Sequence, residues 1–219
     1  MPFYFIKRLG LFTARFQTRV ASLMEVVRRP SPPTPVWDLA FALLDLLGIC
    51  DLYEVLSNSF APNTRPLSTR ERALLQAYFG DSLPYDLIRI DERARIGCKQ
   101  RGFYYVSFHT INSWGPMPDW ILVHEAMHVW QYTQHGAAYI PRALWVQGLP
   151  QGYNYGGLAE LERHNCLADF NYEQQADIVM DAYRLSRHLA ARWAPGAGAE
   201  ALHHYLPYLR ELSTAKAPA

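Results

Sequence analysis

The sequence predicts an α+β fold that is mainly helical, with a small antiparallel or mixed sheet edge and an N-terminal helical extension. Three observations carry this. Apolar residues recur at helical spacing in several long segments. Two short stretches, residues 86–91 and 102–110, are rich in β-branched and aromatic residues and read as strands. Residues 30–35 hold four prolines, which end any helix and set off what precedes them as a stiffly linked extension. Half of the 219 residues are hydrophobic and 14% are aromatic, enough for a substantial core and too many for a disordered chain.

In chain order, Phe5, Leu9, Phe12, Phe16, Val20 and Leu23 predict an amphipathic helix. Residues 1–35 carry Lys7, Arg8, Arg15, Arg19, Arg28 and Arg29 against Glu25 alone. Such a helix either docks on an anionic membrane or a partner groove, or packs on its own domain with its cations in water. Residues 36–56 are apolar on most sides and predict one buried helix. Residues 60–66 read as a loop. Ser68 and Glu71 form a capping box for the next helix, which Gly80 ends. Turn-rich residues 112–118 follow the second strand, and Asp119 stands at an N-cap position before residues 120–131. Glycine-rich residues 136–165 read mostly as loop, with a short helical piece at 158–165. A clear helix follows in residues 171–193, then a last short helix near 200–212. The expected division is an extension (1–65), a core bearing the chemistry (66–193) and a short helix with tail (194–219).

The net charge of +1, with 19% charged residues, gives no general reason to expect nucleic acid as a partner. Cys50, Cys98 and Cys166 are odd in number and far apart, so the expectation is reduced thiols and no disulfide framework. Lys7, Arg8, Arg15 and Arg19 interrupt the oily start before a cleavable signal can form, and the apolar run at 37–49 is too short and too charged to span a bilayer. A cytoplasmic protein is expected, with peripheral membrane attachment or export by a signal-peptide-independent route left open.

Chemistry concentrates in "WILVHEAMHVWQ", residues 120–131. His124, Glu125 and His128 interrupt an otherwise apolar run. Burying such groups unpartnered costs several kcal/mol, roughly 2–7 for each neutral polar group. HExxH on a helix resolves this, since residues i and i+4 share a face and both imidazoles can address one zinc ion. Glu125, turned about 100° away, can reach a metal-bound water without ligating. A catalytic zinc takes three protein ligands and lowers the pKa of its water toward about 7, and a neighbouring carboxylate then serves as general base. The alternative is a pair of core histidines satisfied by hydrogen bonds.

The third ligand is expected to be Glu173, in "NYEQQAD". Asp177 follows one turn later and suits the role of orienting a ligating histidine through its free ring nitrogen. His164, Glu160 and Glu162 are rivals without this pairing. His135 follows the motif without the HxxGxxH spacing and reads as a solvated residue at a helix end.

HExxH on one helix with Glu-x-x-x-Asp on the next resembles the gluzincin arrangement of thermolysin-type zinc metallopeptidases. The pattern "FGDSLPYDLIRI", a strand, "HEAMHVWQ" and "NYEQQADIV", across roughly residues 67–185, is similar to small bacterial vgr-related, zincin-like proteins associated with contractile injection systems. That resemblance implies a zincin-like fold, zinc held by His124, His128 and Glu173, Glu125 as base, Asp177 behind a ligand, and a peptide or protein substrate. Tyr153, Tyr155, Tyr172 and His164 are the candidates for steadying an oxyanion. The strand at 102–110 is the candidate edge for aligning an extended substrate. Two other classes stay open: a zinc-binding, non-catalytic adaptor of a secretion apparatus, closed by a fourth ligand such as His164, and a membrane-binding module acting through the basic N-terminal helix.

Overall fold

The computed structural model describes residues 15–30, 33–60, 63–94 and 102–215. The expected helix from Phe5 to Leu23 falls partly outside them, as does Cys98. Helices dominate, with one small mixed sheet, as the sequence predicts. The elements are α1 (Phe16–Arg28), α2 (Pro35–Leu46), α3 (Ile49–Phe60), β1 (Thr64–Pro66), α4 (Thr69–Phe79), β2 (Arg89–Asp91), β3 (Tyr105–Ser107), β4 (Thr110–Asn112), α5 (Asp119–His135), α6 (Tyr139–Gln147), α7 (Leu158–Arg163), α8 (Tyr172–Ser186) and α9 (Leu206–Thr214).

Helices α5 and α8 form the central pair. Every residue of α5 from Leu122 to Thr133 is buried, because the rest of the fold surrounds the helix on all sides. The sheet, ordered β1-β2-β4-β3, packs beside it, with β2 and β4 parallel and the outer pairings antiparallel. Ile90 and Ile111 face each other in register, both fully buried. They join Leu75, Phe79, Leu122 and Met127 in the core. Among the described strands, β3 lies at one edge of the sheet.

Several local expectations change. The stretch 102–110 is a hairpin and not one strand: the chain reverses at Phe108, which adopts φ +58° without the glycine or asparagine that normally marks such a turn. The loop expected at 60–66 contributes β1, which pairs with β2. Pro118, not Asp119, is the N-cap of α5, and Asp119 is its first residue, held by Arg70 and the Tyr183 hydroxyl. Helix α6 arises where loop was expected, with Pro141 tolerated in its first turn. Helix α8 ends at Ser186, short of the expected 193. The Ser68–Glu71 capping box and the Asn171–Gln174 box start α4 and α8.

The N-terminal region departs furthest. The single helix expected at 36–56 is two, broken at Gly48 with φ +72°. It is not buried all round: its carboxylates face inward and its leucines outward. Helix α1 packs on α2 and α5. Arg15 and Arg19, expected to face water or a docking surface, are buried: Arg19 meets Asp45 at 3.3 Å and also pairs with Asp51, while Arg15 donates to the Tyr132 carbonyl at 3.0 Å. Asp45 also accepts from the Ala137 amide at 3.1 Å, a contact that depends on the sharp end of α5 at Gly136. A Cβ there would lie 2.8 Å from Asp45 Oδ2. Among the described residues, no helix is long and apolar enough to cross a membrane.

Candidate metal centre

Helix α5 delivers His124, Glu125 and His128 to one cleft, and α8 crosses beside it to deliver Glu173. One atom from each of His124, His128 and Glu173 lies within 4.8 Å of the others, and all three residues are buried. Glu173 Oε2 sits 3.6 Å from His124 Nε2 and 3.5 Å from His128 Nε2. Two ligand atoms about 2.0–2.1 Å from a tetrahedral zinc lie about 3.4 Å apart, so the spacing fits an ion between them. Glu173 Oε2 has no hydrogen-bond partner despite complete burial, as a ligand atom would not. These three residues therefore suit a metal ion, whose identity the geometry leaves open.

Each of the three residues has a keeper. Glu173 Oε1 accepts from Gln147 Nε2 at 2.8 Å, which aims the other oxygen at the histidines. His128 Nδ1 lies 2.8 Å from Gln131 Oε1. The Gln131 amide nitrogen in turn donates to the Tyr172 carbonyl and to Gln175 Oε1, so its oxygen is the end left for the ring. That assigns the proton to Nδ1 and the lone pair to Nε2, facing the site. His124 Nδ1 lies 2.8 Å from Asp177 Oδ1, at ion-pair distance though off the line of a good hydrogen bond. The other Asp177 oxygen is held by the Trp193 indole and by Arg192.

The electrostatics point the same way. Burial pulls the His124 pKa down, but the Asp177 and Glu173 carboxylates outweigh it and raise it well above the ordinary imidazole value. His128 is raised by Glu173 against the same burial. Burial pushes Glu173 up, yet the two imidazoles hold it well below the usual carboxylate range. The carboxylate is thus matched to positive charge on the side of the rings, which their own protons or a bound cation can supply. Glu125 is different: burial raises its pKa and the histidines only partly oppose this. Its Oε2 also lacks a hydrogen-bond partner. A carboxylate so tuned, on the cleft wall beside the ligands, suits proton transfer.

The cleft has a volume of about 760 Å³. Phe103, Tyr104, Tyr105 and Val106 form one wall, and Tyr139, Ile140, Ala143 and Leu144 of α6 form the other. Of the four oxyanion candidates, only Tyr153 lines this cleft, stacked on His124 at 6.2 Å between ring centroids. Burial and the nearby carboxylates raise its pKa, so it stays a donor. Tyr155 instead donates to Asp181, and Tyr172 lines a separate cleft of about 350 Å³. His164 is engaged by Glu160 at 3.4 Å and Asp169 at 3.7 Å, and Glu162 meets His204, so these rivals sit outside the cluster. Tyr139, stacked on His128, and the two glutamines were missed in the sequence. Only Gln131 left a signal there, three residues past His128 and hence on the same helix face.

A buried two-histidine, one-glutamate cluster with a free carboxylate on an open cleft defines the class of site. Among known proteins, the chain is similar to the type VI secretion system spike protein VgrG2b of Pseudomonas aeruginosa, with 28% identity over 169 residues. The match covers 70% of this chain and 16% of that much longer protein. No family model and no solved structure matches the chain.

Proposed function

We propose that the protein is a zinc metallopeptidase of gluzincin type, cleaving an amide bond with Glu125 as general base. The observation that carries this is Glu173 Oε2, unpartnered, buried and 3.5–3.6 Å from both imidazole nitrogens, beside an equally unpartnered Glu125 on the cleft wall. Zinc held by His124, His128 and Glu173 would supply Lewis-acid polarisation of the scissile carbonyl and of a water. Glu125 takes the proton of the attacking water and delivers it to the leaving amine nitrogen. The Tyr153 hydroxyl donates to the oxyanion as it forms. Tyr105 and Val106 of the edge strand β3 line the cleft, which suits an extended substrate lying alongside it.

Elemental analysis of the purified protein beside a His128→Ala variant tests the metal, with near-stoichiometric zinc expected in the parent and loss in the variant. A peptide-library screen on the parent and on Glu125→Gln then tests the chemistry. Absence of zinc, even after addition, would make the histidines core residues.

The similarity to a secretion spike protein supports a second reading, a module carried by or exported with a secretion apparatus. It is compatible with catalysis. Its non-catalytic form requires a closed fourth position, and His164 is committed elsewhere.

A further inference from the structure

Helices α2 and α3 are inside out. Their carboxylates turn into the protein: Asp38 meets Arg142 at 2.7 Å, Asp45 meets Arg19, and Glu54 meets His109 at 3.0 Å. None of the four charged residues of these helices, Asp51 included, is exposed. The outward face is apolar instead, with Val36, Trp37, Leu47, Leu52, Tyr53 and Leu56 each between 47% and 76% exposed. A helix facing water does the reverse. Soluble surfaces seldom leave so much apolar area together unless something covers it.

We propose that this face docks on an anionic lipid surface, with α2 and α3 lying in the plane of the interface. Charge complementarity selects that occupant. Arg28 and Arg29, at the end of α1 just before α2, are exposed. Residues 1–14 add Lys7 and Arg8 and no acid. Glu25, the exposed acid of α1, lies apart in the small cleft with His135 and Arg142. With every carboxylate of α2 and α3 neutralised inside, the outer face presents nothing for anionic lipid to repel and no charge to desolvate. Trp37 and Tyr53 are the side chains that favour the headgroup boundary. A protein partner would call for charged or hydrogen-bonding groups to fix its register, and this face offers no charge for that. Helix α6 packs on α2 and exposes Leu144 and Trp145, with Leu144 also lining the cleft, so the apolar surface extends toward the cleft mouth.

The test is co-sedimentation of the full chain with phosphatidylcholine vesicles, alone or with one-third phosphatidylglycerol. Binding to the anionic vesicles, weakened by salt, is expected. Leu47→Glu and Val36→Glu should each reduce it at least about tenfold. Arg28→Gln and Arg29→Gln should each reduce it about fivefold. Both glutamate variants change exposed side chains at different places, and unchanged melting and zinc content confirm that either is folded. Failure to bind, equal binding to neutral vesicles, or parental binding by both glutamate variants would overturn the proposal. So would a lipid-free dimer that Leu47→Glu dissociates, since the face would then belong to a second copy of the chain.

Discussion

Glu125 and Gln131 both border the histidine pair, yet they should fail differently. Glu125→Gln keeps the shape and the ligands but removes the proton acceptor, so zinc should remain while turnover falls by about 10²–10⁴. Retained hydrolysis would sink the assignment. Gln131→Leu leaves His128 Nδ1 without its 2.8 Å partner and should weaken zinc binding about 10–100-fold, read by competition with a chelating dye. Unchanged affinity would mean that the ring is held by packing alone. His124, Glu125, His128, Glu173 and Asp177 were legible in the sequence because helical spacing converts directly into a shared face. Tyr139 and Gln147 were not, and Tyr153 was only one of four equal candidates: all three reach the site from the glycine-rich segment, where spacing carries no geometry, and an amide or phenol has no distinctive pattern of its own.

Helix α4 shows what an element gains from its first turn. Ser68 accepts from the Glu71 amide, and Glu71 returns the bond to Ser68 while chelating Arg65 at 2.8 Å through both oxygens. Ser68→Ala should cost about 1 kcal/mol in denaturant unfolding. The hydrogen bonds from Arg65 hold the Glu71 pKa down to about 2, against burial and below the ordinary value of 4.5. Its contribution is therefore complete above about pH 4.5 and lost as pH falls toward 2. Glu71→Gln should flatten the stability profile in that window, and an unchanged acid limb would refute the assignment. This capping box was readable because its signal is local. The Phe108 turn was not, since a phenylalanine at positive φ is fixed by what surrounds it: its ring lies 5.1 Å from that of Tyr132 and 5.9 Å from that of Tyr53.

Over the whole molecule, buried ion pairs fasten the N-terminal helices to the core. Arg142→Leu strips Asp38, fully buried, of its guanidinium and should destabilise the fold by about 3 kcal/mol, seen as a lower melting temperature. A change below about 1 kcal/mol would show that this pair does not fasten α2 to the core. The sequence predicted the fold class, because period and composition are set by burial as a whole. It misread the N-terminal third, where the usual link between charge and water is inverted: Arg15 and Arg19 read as cations facing water or a docking surface, and residues 36–56 read as one buried helix.

The division of labour in the cleft has a consequence for descent. Every group that would touch metal or move a proton stands on α5 or α8, whereas the walls come from the β3 hairpin and from α6 with the segment after it. If the site cleaves peptides as proposed, insertions and drift in the outer parts of those walls would change what is cut without disturbing how it is cut. Under the proposed chemistry, a lineage bearing this scaffold would diversify its targets while its reaction stays constant, and orthologues should differ most at residues 103–106 and 140–146, short of Gln147 and Tyr153.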